Sequence, residues 1–190
     1  MANSNKPFGL RPSRHMTGGE IQSNEYWIDP TYTTAIFRGD VVEGVAGGSI
    51  ELAEAGNVDN VGVFWGCEYD DSAGSHHFSP YWPGTASCTN IKAIVYDDPE
   101  IIFEIQTDAT GATVADIHQG ADIEYVAGDT KTGVSKVNLD VSAGLGTTGK
   151  SFRILRLANK PSNESGAYAV VEVLFNEHVM KGVVSGVGGI

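Results

Sequence analysis

Thr89-Asn-Ile-Lys-Ala-Ile-Val-Tyr96, Asp97-Asp98-Pro99 and Glu100-Ile-Ile-Phe-Glu-Ile-Gln106 run together without a break, and their reading decides the fold class. Ile94 and Tyr96 on one side, and Ile101, Phe103 and Ile105 on the other, place apolar side chains at every second position. That period belongs to strands with one buried face. Asp bonds its own following backbone and Pro fixes φ, so Asp97–Pro99 reads as a turn and the stretch as a hairpin or near-hairpin.

The same signal extends in both directions. Upstream, residues 25–28, 34–38, 41–45, 49–54 and 61–65 are short, β-branched or aromatic runs separated by Gly and Asp. Downstream, residues 121–127, 134–139, 151–157 and 167–176 behave alike, the last with Val171, Val173 and Phe175 on one face. Residues 70–84 read as a loop rich in Ser, His, Pro and Gly. One short helix fits after Thr113, with Asp116 three residues on and Gly120 as a stop. Glycine supplies 24 of 190 residues, against a typical ~7%, and is spread along the chain, which implies many turns. The expectation is an all-β fold: a Gly-rich β-barrel or sandwich of about ten short strands with at most one short helix.

At this length a single domain buries enough surface to be stable without crosslinks. We place it at 17–182, between an extended N-terminal arm over 1–16 and a Gly-rich C-terminal tail over 183–190. The arm, MANSNKPFGLRPSRHM, holds Lys6, Arg11 and Arg14 with no acid before Glu20. Its prolines exclude regular structure, and Phe8 and Leu10 alternate with small or polar residues as an extended segment lying in a neighbour's groove would require. On this reading the arm is needed for attachment and dispensable for folding.

The body is acidic. Residues 39–130 carry 17 acids against the single base Lys92, while the two ends are slightly basic, for a net charge of −12. Such a split disfavours duplex nucleic acid as a partner and favours contacts between unlike parts of copies, or docking of the ends on another surface. No apolar run approaches the ~20 residues that cross a bilayer, so no membrane contact is expected. Two cysteines, Cys67 and Cys88, and no secretory h-region point to synthesis in a reducing cytoplasm.

Catalytic motifs are weak. His76 and His77 between the two cysteines suggest zinc by residue type, but neighbouring His residues do not turn to one metal and no paired ligand spacing accompanies them. Asp97, Asp98 and Glu100 suit a turn better than acid–base work or calcium. No nucleophile elbow or phosphate-cradling loop is present, so neither an enzyme nor a cofactor is expected. Trp65, Tyr81 and Trp82 suggest a glycan or peptide groove, with core packing as the alternative.

The layout as a whole resembles a family of tailed-bacteriophage head decoration proteins, also called cement or capsid-stabilising proteins. The resemblance rests on Asn5-Lys6-Pro7-Phe8-Gly9-Leu10-Arg11-Pro12, Phe37-Arg38-Gly39-Asp40-Val41-Val42 and Gly62-Val63. It continues through Asp97-Asp98-Pro99 before a strand, Val137-Asn138-Leu139-Asp140, and Asn163-Glu164 ahead of Val171 to His178. It implies a non-enzymatic component on the outer surface of the phage head, made in the host cytoplasm, that bridges major capsid protein subunits. The charge imbalance favours a closed head-to-tail homo-oligomer, and the resemblance adds the preference for a trimer, because shell geometry offers many three-fold positions. The residues expected to make contact are Lys6, Phe8, Leu10, Arg11 and Arg14 in the arm, and Val183, Val184 and Val187 in the tail. The rival readings are a tail or fibre component binding a host glycan or protein, and a metal-dependent hydrolase using His76 and His77.

Overall fold

The computed structural model describes residues 3–57 and 59–181. The tail contacts expected at Val183, Val184 and Val187 lie outside the described residues. Fourteen strands follow one another: β1 (Arg11–His15), β2 (Asn24–Trp27), β3 (Ile36–Phe37), β4 (Val41–Gly44), β5 (Ile50–Leu52), β6 (Asn60–Asp70), β7 (His76–Ser79), β8 (Tyr81–Trp82), β9 (Thr89–Tyr96), β10 (Ile101–Gln106), β11 (Gly120–Glu124), β12 (Asn138–Asp140), β13 (Phe152–Leu157) and β14 (Val170–Phe175). The expected helix is a single 3-10 turn, Val114–Asp116, where Asp116 accepts hydrogen bonds from the backbone and hydroxyl of Thr113.

The architecture is an all-β sandwich with no closed barrel. One antiparallel sheet has the order β1-β10-β14-β13-β11-β12, and a second has β2-β9-β6-β4-β5 with β7 added to β6. β3 and β8 form a separate ribbon. Val41 and Val63 from the second sheet join Phe103, Ile105, Phe152, Val171, Val173 and Phe175 from the first in one core. Their neighbours Val42 and Phe64 point the other way, into a second core with Ile36, Cys67, Trp82, Ile91 and Val95. Alternation along each strand thus feeds two cores, and the first half of β6 is buried on both faces.

Three expectations need correction. β9 and β10 are both strands, but they do not form a hairpin: β9 lies between β2 and β6, and β10 between β1 and β14. Asp97–Pro99 carries the chain from one sheet to the other. Buried Asp97 accepts hydrogen bonds from Asn24 Nδ2 (2.9 Å) and Tyr26 Oη (2.7 Å), and Asp98 Oδ1 accepts from the Glu100 amide (2.8 Å). Residues 70–84 are also not one loop, because β7 and β8 lie within them. Finally, the N-terminal run is extended, but it lies along its own domain, and its last residues are β1.

Candidate docking face built by the N-terminal run

β1 is the edge of the first sheet, where a proline costs no ladder hydrogen bond in the sheet interior. Pro12 faces Phe103, and the register slips between Pro12 and Arg14, a bulge of the kind that blunts an exposed edge. Leu10, expected to be an anchor on a neighbour, is 1% exposed and belongs to the first core. Its amide donates to the Gly39 carbonyl (2.8 Å). Gly9 makes this passage feasible: its φ is +69°, and a Cβ there would lie 2.6 Å from Ser135 Cβ and 2.7 Å from the Gly39 oxygen.

Side chains of the body hold the rest of the run. Gln106 accepts from the Lys6 amide (2.8 Å) and donates to the Ser4 and Tyr168 carbonyls. Asn3 donates to the Glu164 and Ala167 carbonyls. At the far end His15 Nε2 meets Asp98 Oδ2 at 2.8 Å. Lys6 is exposed, and Phe8 is half-buried at the surface.

The outward face of the first sheet is a charged row. Arg11, Glu104, Glu172 and Arg156 stand directly opposite one another across β1, β10, β14 and β13. Two adjacent glutamates repel, and cations on either side reverse that. Glu172 accepts from Arg14 (2.7 Å) and Arg156 (2.8 Å), and Glu104 from Lys160. Burial pushes the Glu172 carboxyl up, but the hydrogen bonds and charges of Arg14 and Arg156 outweigh this and hold it below the usual range. The guanidinium of Arg11 and the ammonium of Lys160 lie 4.7 and 5.6 Å from the Phe8 ring centre, within cation–π reach. Four cations around two carboxylates leave this face positive on an acidic protein, with Phe8 as its apolar centre.

Beside the row is a cleft of about 230 Å³ lined by Phe8, Leu10, Arg11, Arg38, Trp65 and Val134. Arg38 stacks on Trp65 at 5.0 Å and donates through Nε to the Trp65 carbonyl (3.0 Å). A second cavity, of about 280 Å³, shares Arg38 and Trp65 and continues past Ile94 to Phe78, at 77% the most exposed large apolar side chain among the described residues.

The other candidate sites disperse. Trp82 is fully buried, and Tyr81 stacks on Phe37 with ring centres 5.4 Å apart, so Trp65, Tyr81 and Trp82 do not share a groove. His76 and His77 project to opposite faces of β7. His76 bonds Asp70 (2.6 Å) and packs edge-on to Phe78, while His77 bonds Asp71 (2.8 Å) and stacks on Tyr69. Cys67 and Cys88 are free and buried, and burial pushes the Cys67 thiol up to about 12. Among the described residues no three His, Cys, Asp or Glu side chains gather as metal ligands.

Sequence reasoning picked out Arg11 and Arg14 but not Glu104, Arg156, Lys160 or Glu172. A signal existed: Glu104 in Ile-Ile-Phe-Glu-Ile and Glu172 in Val-Val-Glu-Val-Leu are lone acids inside apolar strands, and such residues face out and need cross-strand partners. No family model matches the chain, and neither a curated protein nor a solved structure matches it.

Proposed function

We propose that the protein is a non-catalytic component of a tailed-bacteriophage head that seats on the outer surface of the major capsid protein and ties neighbouring subunits together. The supporting observation is that the Asn5–Pro12 run, which carries the resemblance to decoration proteins, builds the positive, Phe8-centred face of the first sheet. A docking surface needs apolar anchors in fixed places and charges that set approach and register. Phe8, Arg14, Arg156 and Lys160 meet that need, because hydrogen bonds and ring contacts position all four. Leu10 and the Asn3–Lys6 backbone act inside the fold and prepare the face without contacting the partner. Copies associate on the shell, in threes at three-fold positions. The reading involves no cofactor, nucleic acid or membrane; among the described residues no helix is long and apolar enough to cross one.

Counting copies per particle by quantitative mass spectrometry of purified virions tests this. Hundreds of copies, removable and restorable on emptied heads, are expected. A handful of copies, or fractionation with tails, overturns the reading.

A further inference from the structure

The described residues carry two electrostatic imbalances of opposite sign, neither of them offset by an ion pair. In the cleft beside Phe8, Arg11 and Arg38 each stack on an aromatic ring, and among the described residues neither forms an ion pair: the carboxylate of Glu104, which stands opposite Arg11, is bound by Lys160. This is unexpected in a chain with 24 acids and 12 Lys and Arg residues. The cleft is also held in shape. The Arg38 amide donates to Gly133 (3.0 Å), its carbonyl accepts from Ser135 (2.9 Å), and Leu10 is locked to Gly39. A planar guanidinium stacked on a ring keeps its in-plane N–H groups available for a carboxylate.

The opposite imbalance lies on the β4–β5 edge. Glu43 and Glu51 face each other directly across the two strands, an arrangement that destabilises a sheet. Glu54 and Asp59 add to the repulsion at Glu43, one of whose carboxylate oxygens is buried without a hydrogen-bond partner. No Lys or Arg occurs between Arg38 and Lys92 in the chain, and none of these four acids is ion-paired among the described residues.

We infer that the Arg11–Arg38 cleft is a carboxylate-binding site whose ligand is the acidic β4–β5 edge, Glu51 and Glu54 foremost, of a second copy of this chain. The contact is head-to-tail: two cations without ion-pair partners meet an acid cluster without bases, and each relieves the other. A like-face contact would set acid against acid. Because the two surfaces differ, a pair joined by one contact keeps one of each free for further neighbours. Arg14, Arg156 and Lys160, which do not line the cleft, stay available to the shell. The inference rests on the proposed function only for where copies meet, since the contact itself is measured without any capsid.

Sedimentation equilibrium of the full chain, at about 20 mM and about 0.5 M salt, gives the test; screening lengths there are roughly 20 Å and 4 Å. Mass should rise above the 20.1 kDa monomer with concentration at low salt and return towards it at high salt. R11E/R38E and E51K/E54K should each weaken association at least tenfold when alone. Mixed, they should recover association in a one-to-one ratio, since each surface of one variant then meets an oppositely charged surface of the other. R11Q/R38Q, which adds no repulsion, checks that lost association is not misfolding, with circular dichroism as the control. A monomer at every concentration in low salt, self-association of either reversed variant at wild-type strength, or no recovery on mixing would each overturn the inference. Failure of head binding with intact self-association would count against the proposed function alone.

Discussion

The N-terminal run, residues 3–16, and the β6–β7 hairpin, residues 70–79, look alike as sequence: both are largely polar, carry Ser, His and charge, and hold few apolar side chains. In the fold they differ. The run is fixed from both sides, with Leu10 in the core, Gly9 pressed against Gly39 and Ser135, and Gln106 holding its backbone. The hairpin is held by its own turn, where Asp71 accepts from the Ala73 and Ser75 amides, and by two exposed His–Asp pairs, while Phe78 faces solvent. Hydrogen bonds alone do not distinguish the two, since both have them. The difference is one buried leucine and the close approach that a glycine permits.

Leu10→Ala breaks this comparison most severely if the account is right. Removing a fully buried leucine side chain costs about 3 kcal/mol, read as a lower midpoint in urea with unchanged slope. Deleting residues 1–14 should cost at least as much, contrary to what an arm predicts. An unchanged melt for either variant would place the run outside the cooperative unit.

Asp40 lies in the seam that grips the run, its carboxylate accepting from the Phe37 amide at 2.7 Å. Burial pushes its pKa up from an ordinary 3.8 to about 6, against the opposing hydrogen bonds of Ser135 and Phe37. Between those values the folded state holds a proton that the unfolded state has released. Stability from this group is therefore full below pH 4 and declines as pH rises to about 6, by about 3 kcal/mol in all. Comparing urea unfolding of wild type and Asp40→Asn at pH 4.5 and 7 isolates the effect; wild type should gain stability relative to the variant as pH falls from 7 to 4.5. A pH-independent difference contradicts it.

Gly9→Ala should cost about 2 kcal/mol, from a left-handed backbone plus crowding against Ser135. Stability equal to wild type would mean that the approach of run and seam is loose. In the hairpin, Phe78→Ser should change stability by less than about 0.5 kcal/mol. A larger loss there would erase the contrast between the two segments.

Much of the body was legible because period-2 alternation is a local property. β9 and β14 lie close to where their apolar positions put them, and Thr113 and Asp116 form the expected cap. Pairing was not legible: Asp97–Pro99 suits a hairpin turn and a sheet-to-sheet crossing equally, and only the position of β1 and β14 around β10 decides. β1 itself was hidden by Pro12, which argues against a central strand but is harmless at an edge. The docking face was half visible, through Arg11 and Arg14. Its other half comes from β10, β13 and β14, more than 80 residues away in sequence, and no local pattern brings those strands together.

The run is folded into the domain, and Phe8 with its surrounding cations forms a fixed face that we propose meets the shell. Phe8→Ser combined with Arg156→Gln and Lys160→Gln changes that face while leaving Leu10, Gly9 and Gln106 in place. Occupancy of emptied heads by this variant, beside its own thermal melt, is the direct measurement. A melt within a few degrees of wild type and occupancy reduced at least tenfold are expected; wild-type occupancy at full stability would overturn the proposed docking role of this face.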